Sequence, residues 1–192
     1  MVNRKLVHTR KVEIQVFRRE DELWDIEATL CDVKTQNAPL PSGDRLAGDP
    51  MHDMLLCLTI DQGFNVVAST AYSRRNPYPG HCEVAAEGYD KLVGLNLIKG
   101  FRKAVRERMG AVLGCTHISE LSQFLPTAAI QAFAGEADTF ATIKSVLADP
   151  RAEPEPDDKH FQIDRCNALR SDGPAVQLYF PKWFKPARNP LP

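Results

Sequence analysis

The chain has 192 residues, 43% of them hydrophobic, with 24 Lys and Arg against 25 Asp and Glu and a net charge of −1. That length suffices for one domain with a real core, burying roughly 70% of the unfolded surface, and the balanced charge gives no electrostatic ground for a nucleic-acid or anionic-membrane partner. The longest apolar run, Met54 to Leu58, is far too short to span a bilayer, the opening MVNRKLVHTRK has no signal-peptide core, and five cysteines without a C-x-x-C exclude a zinc ribbon and argue against a disulfide framework, so the sequence reads as a reduced, cytoplasmic protein.

In chain order, Val12, Ile14 and Val16 alternate with Glu13, Gln15 and Phe17, and Glu20-Asp21-Glu22 reads as a turn. Trp24, Ile26, Ala28 and Leu30 then fall on one face, with Asp25, Glu27 and Thr29 on the other, the period-two pattern of a half-buried antiparallel strand. Residues 35–51 hold Asn37, Pro39, Pro41, Gly43, Gly48 and Pro50 and read as a loop. Met54 to Ile60 is nearly all apolar, which predicts a central strand buried on both faces, and Asp61-Gln62-Gly63 turns it into a partner over Asn65 to Tyr72. These segments make a four-strand antiparallel meander.

Helical spacing follows. Ala85, Ala86, Tyr89, Leu92 and Val93 form one stripe, closed by Gly94. Ile98, Phe101, Val105 and Met109 form a second, with Gly100 as an interior glycine. Thr116 is the expected N-cap of a third helix carrying Ile118, Leu121, Phe124 and Leu125; Pro126 forces a break or restart, and a further helical piece reaches about Leu147. Residues 1–148 thus read as an α+β core domain, an antiparallel β-meander with helices packed on one face. Residues 149–160 read as an acidic, Pro-rich linker, and 161–192 as a C-terminal extension with an edge strand over Ala175 to Phe180 and a Pro-rich tail anchored by Trp183 and Phe184. The expected core includes Trp24, Leu56, Leu58, Ile60, Leu92, Ile98, Phe101 and Leu121.

Chemistry concentrates at three junctions. Gly114-Cys115-Thr116-His117, with Glu120 beyond, places a thiol at a helix start, where free N–H groups favour a thiolate. His52-Asp53 precedes the apolar strand, and Cys82 lies between the last strand and the first helix. A meander returns to the same end every second strand, so His52, Cys82, Cys115 and His117 are expected to converge as metal ligands, with Asp53 and Glu120 as acceptors that orient them; Cys31, Cys57 and Cys166 stand apart. Mixed thiolate and imidazole donors suit zinc, iron or an iron–sulfur cluster. An alternative is a cysteine-dependent enzyme with Cys115 as nucleophile and His52 as base, on the expectation that the Cys115 and His117 side chains diverge. A third reading is a non-catalytic module presenting the meander face and the Pro-rich tail to a protein partner.

Two resemblances bear on this. Arg10, Arg18-Arg19, Asp21, Trp24, Glu27, Leu30, Asp32, Lys34, His52-Asp53-Met54, Asp61, Cys82, Leu92, Gly94-Leu95 and Gly114-Cys115-Thr116-His117 with Glu120-Leu121 together resemble a proteobacterial family known as a domain of unknown function, a label that supplies no activity. The order of elements is also similar to U-type iron–sulfur cluster scaffold proteins: His52-Asp53 before a strand, then Cys82, a helix ending at Leu92 to Gly94, then Cys115 and His117. That resemblance implies a scaffold-like fold and metal or sulfur handling. His52 stands where those proteins have their first Cys, and the late pair is reversed and spaced by Thr116, which implies a mononuclear zinc or iron site, or a descendant without metal, at least as readily as a cluster scaffold.

Overall fold

The structure is a computed structural model that describes residues 2–134, 139–148, 150, 151, 156 and 159–186. The chain divides into two compact units, Met1–Ala134 and Gly135–Pro192.

The first unit opens with four antiparallel strands, β1 (His8–Arg18), β2 (Trp24–Lys34), β3 (Pro50–Ile60) and β4 (Val66–Arg75), paired in chain order as a meander. The 19–23 turn closes on an Arg19 N–H to Leu23 carbonyl bond of 2.9 Å with Glu22 at φ 64°. It sets a register in which Trp24, Ile26, Ala28, Leu30 and Asp32 oppose Arg18, Val16, Ile14, Val12 and Arg10. Ile26, Ala28 and Leu30 pair in turn with Leu58, Leu56 and Met54, all buried, so the apolar stripe of β2 continues across the sheet. β3 is not covered on both faces as its sequence predicts. Leu55 and Cys57 point away from the stripe and stay half-exposed, because helices lie on one side of the sheet.

Those helices are α1 (Cys82–Glu87), continued by a 3₁₀ turn over Gly88–Leu92, then α2 (Phe101–Met109), α3 (Thr116–Ser122) and α4 (Leu125–Phe133). α1 packs on β4, α3 on β2 and β3, and α4 on β1 and β2. Phe133 of α4 sits between Trp24 and Phe64, with ring centroids 4.3 and 4.6 Å away. Pro126 occupies the first turn of α4, where its missing N–H costs nothing. The unit is an α+β domain with helices on one face of an antiparallel sheet.

Three local expectations need correction. Ile98 is only half-buried and Leu97 takes the core position: residues 93–97 run along the edge of β4, held by the Leu97 N–H to Phe64 carbonyl bond of 2.8 Å, and the helix starts later. Gly100 is not interior but the N-cap of α2, at φ 70°. No atom lies within 4 Å of a Cβ built there, so Gly100→Ala meets only the backbone penalty, about 1–2 kcal/mol, read as a lowered denaturant midpoint. Cys115, rather than Thr116, is the N-cap of α3.

The second unit holds α5 (Thr139–Leu147) and α6 (Pro174–Tyr179), with Ile143, Phe161, Ile163 and Val176 buried. His160 lies amid Phe140, Phe161 and Phe180, ring centroids 5.1–5.3 Å away, and burial lowers its pKa. The strand expected over Ala175 to Phe180 is instead α6, because Pro174 at the first helical turn and Gly173 as N-cap start a helix. Most of the expected linker, and the tail beyond residue 186, lie outside the described residues. Among the described residues, no helix is long and apolar enough to cross a membrane.

Candidate functional site

At the end of the apolar stripe the residues turn polar without changing face. Arg10, Asp32 and His52 are directly opposed across β1, β2 and β3, so three cross-strand neighbours form one polar row beneath the helices. Asp32 is its centre, with a side chain only 3% exposed. Arg10 clasps it with two parallel bonds, Nε to Oδ1 and Nη2 to Oδ2, each 2.8 Å. His8 Nε2 lies 3.0 Å from Oδ1, and His52 Nδ1 lies 3.0 Å from Oδ2.

Burial works against the charge of Asp32, but the Arg10 and His52 hydrogen bonds outweigh it and hold the pKa at about 2. The carboxylate is therefore ionised and can only accept, so His52 carries its proton on Nδ1 and leaves Nε2 unprotonated, with a free lone pair. Arg10 is steadied in turn by Glu120, whose Oε2 accepts from Nη1 at 2.8 Å, and the guanidinium pKa is raised, chiefly by the Asp32 bonds.

α3 brings the remaining groups. His117 stacks on His52 with ring centroids 3.9 Å apart, and its Nε2 lies 4.0 Å from Asp32 Oδ2. Burial lowers the His117 pKa, followed by the His52 and Arg10 charges, so the neutral ring is favoured. Its other nitrogen, Nδ1, is 3.9 Å from Cys115 Sγ. The expected divergence of these two side chains does not occur: Cys115, as N-cap, has extended backbone (φ −89°, ψ 127°), which takes its side chain off the helical course.

The Cys115 backbone is fixed from below. The buried Tyr89 hydroxyl donates to the Cys115 carbonyl at 2.7 Å and meets Ser119 Oγ at 2.7 Å, while Ser69 Oγ ties the Tyr89 carbonyl to the sheet at 2.7 Å. Burial pushes the Tyr89 phenol up to about 12, so it stays a donor at neutral pH. Gly114 is required here by close approach, since a Cβ would lie 2.8 Å from the Met109 carbonyl oxygen and 3.1 Å from the Tyr89 hydroxyl. Gly114→Ala is expected to displace Cys115 and His117, measurable as lost imidazole–imidazole contacts in NMR spectra.

The residues singled out in the sequence are thus distributed as follows. His52 and His117 meet, and Cys115 reaches His117. Cys82 opens α1 and has a thiol pKa raised by burial, with a smaller contribution from Cys115. Asp53 follows His52 on the strand and so points to the opposite face, its carboxylate 3.9 Å from Arg74. Glu120 acts on Arg10, not on an imidazole. Cys31 and Cys57 face away from the helices, and burial raises both thiols, Cys57 to about 11.

Sequence reasoning missed His8, Arg10 and Asp32 as site residues. Their signal was present: Asp32 continues the Trp24-to-Leu30 alternation, and Arg10 continues Val16-Ile14-Val12. Among the described residues, Asp32, His52 and His117 are the group whose ligating atoms all lie within 4.8 Å of one another.

A two-layer α+β domain with a buried carboxylate gripping an arginine and imidazoles is the class that fold and site define. The chain belongs to the family described as protein of unknown function DUF2889, whose model matches residues 8–131, a span that holds every residue of this cluster. No curated protein and no solved structure matches the chain.

Proposed function

We propose that this domain binds one divalent transition-metal ion, zinc or ferrous iron, with His52 and His117 as nitrogen ligands and Asp32 as oxygen donor. The observation that supports the reading is the approach of three donor atoms, from β2, β3 and α3, to within 4.8 Å of one another. Zinc–nitrogen and zinc–oxygen bonds are about 2.0–2.2 Å long. The 3.0 Å between His52 Nδ1 and Asp32 Oδ2 therefore lets an ion take the place of the shared proton. The 4.0 Å from His117 Nε2 to Oδ2 is near the widest span one ion can bridge, so His117 closes slightly on binding.

Charge favours a cation as well. Asp32 and Glu120 against Arg10 leave one net negative charge, and burial keeps His117 in the neutral form that coordinates. Two imidazoles and a carboxylate suit a mononuclear ion better than an iron–sulfur cluster, which takes mainly thiolates. Cys115 lies 3.9 Å from the other ring nitrogen of His117, Nδ1, and so stands outside this donor set. The imidazoles, 16% and 24% exposed, leave the ion a side open to water, as in a catalytic site rather than a closed structural one.

The test is zinc affinity measured by chelator competition. His52→Ala and His117→Ala should each lose tight binding, and Cys31→Ser should leave it unchanged. Glu120→Gln, which loosens Arg10, should weaken it about tenfold. Wild-type affinity in His117→Ala would defeat the reading.

A second reading has its own observation. Cys115 Sγ, His117 Nδ1, His117 Nε2 and Asp32 Oδ2 run in sequence with gaps of 3.9 and 4.0 Å, the order of a thiol, base and orienting carboxylate. In that case metal-free protein alkylates rapidly at Cys115, and His117→Ala slows it; an unchanged rate would rule the relay out.

A further inference from the structure

The two edges of the sheet are finished differently. At the β4 edge, residues 93–97 cover the start of the strand. The Gly94 N–H donates to the Val66 carbonyl at 2.9 Å, and the Val66 and Leu97 N–H groups donate to the Leu95 and Phe64 carbonyls, each at 2.8 Å. At the β1 edge, no segment among the described residues pairs with the strand. β1 runs for 11 residues without the proline or bulge that often keeps an open edge from pairing, and all of it but Ile14 and Val16 is exposed.

Which backbone groups face outward follows from the ladder. Opposed residues in an antiparallel pair alternate between those that exchange hydrogen bonds and those that do not. The Arg19 N–H to Leu23 carbonyl bond of 2.9 Å and the Thr35 N–H to Val7 carbonyl bond of 3.3 Å continue the β1–β2 register at its two ends, so the odd-numbered residues of β1 bond to β2. The N–H and C=O groups of His8, Arg10, Val12, Ile14 and Val16 therefore point away from the sheet, in its plane. Their side chains lie on the helix-facing side, where Val12 is 37% exposed. Lys11 and Glu13 lie on the other face, with side chains 74% and 49% exposed.

We propose that β1 pairs antiparallel with β1 of a second copy of this chain, about a two-fold axis through Val12, joining the 4-stranded sheet of each copy into one. The outward groups meet when even-numbered residues oppose even-numbered ones, and charge chooses among the registers that do this. With Val12 against Val12, Lys11 of each copy opposes Glu13 of the other, a complementary pair made on both sides of the axis. Centring the pairing on Lys11 or Glu13 sets like charges against each other, and centring it on Arg10 or Ile14 opposes arginines. In the favoured register the exposed Val12 side chains cover each other. Ile14 and Val16 of the second copy then lie beside Arg10 and His8, on the flank of the Asp32 cluster. The pairing is independent of any metal.

The experiment measures the mass of the full chain by sedimentation equilibrium across the micromolar range, for wild type, Glu13→Lys, the double variant Lys11→Glu with Glu13→Lys, and Val12→Pro. Wild type should approach twice the 21.4 kDa chain mass. Glu13→Lys, which sets lysine against lysine at both pairs, should weaken the dimer about tenfold or more, and exchanging the two charges should restore it. Val12→Pro removes an N–H that β2 does not use, so it should give a monomer whose circular dichroism matches wild type. Should that variant unfold, the charge exchange decides alone. Wild type that is monomeric throughout overturns the proposal, as does a dimer that keeps its affinity in Glu13→Lys. A dimer lost in Glu13→Lys and not recovered in the double variant overturns the register, and the proposal with it.

Discussion

Asp32→Ala is expected to destabilise the domain by about 3–5 kcal/mol, the usual cost of removing one partner from a buried charge cluster. The carboxylate is 3% exposed and accepts from Arg10 twice, from His52 and from His8. Its removal leaves the Arg10 guanidinium with Glu120 as its remaining carboxylate contact in the row and strands the His52 donor. Chemical denaturation reads the loss directly; a midpoint within error of wild type would show that the cluster contributes nothing to folding. Asp32→Asn, which keeps shape and an acceptor oxygen but not charge, should fall between the two.

The same carboxylate sets an acid limit. Its folded pKa, at about 2, is depressed below the unfolded value of about 3.9. Its contribution, about 2.6 kcal/mol, is therefore complete above about pH 5 and lost progressively as pH falls through about 2. Asp32→Asn should remove that part of the acid transition.

Leu58→Ala is expected to cost about 2–5 kcal/mol. Leu58 is fully buried at the middle of the sheet, between Ile26 on β2 and Ser69 on β4, and lies under the helical layer. The sheet has a single covered face, so no second packing layer can relax into the cavity. A stability loss below about 0.5 kcal/mol would contradict the assignment of β3 to the centre of the core.

Much of this architecture was legible because alternation and helical spacing report burial directly. Trp24 through Leu30 declared the inward face of β2, and Val105 with Met109 declared that of α2. What periodicity could not report was whether a second layer exists, so Leu55 and Cys57 read as buried when their face is uncovered. Nor could it phase Ile98 against Leu97, because an extended stretch bonded to Phe64 precedes the helix.

At the site, His52 and His117 were visible as chemically able residues at junctions that a meander brings together. Asp32 was passed over because a charged residue ending a strand usually means exposure. Its position on the apolar face was the better guide. The pairing of Arg10 with Asp32 required the register, which depends on the conformation of the 19–23 turn and not on residue type alone. The approach of Cys115 to His117 depended on which residue caps α3, a shift of one position that changes where the thiol points.

Metal binding at Asp32, His52 and His117 is tested by the metal content of the full chain purified without a metal-binding tag. About one zinc or iron per chain is expected, removed by chelation, restored on adding the ion, and absent from His52→Ala purified in parallel. Protein that is metal-free as isolated and takes up neither zinc nor ferrous iron on titration would contradict it.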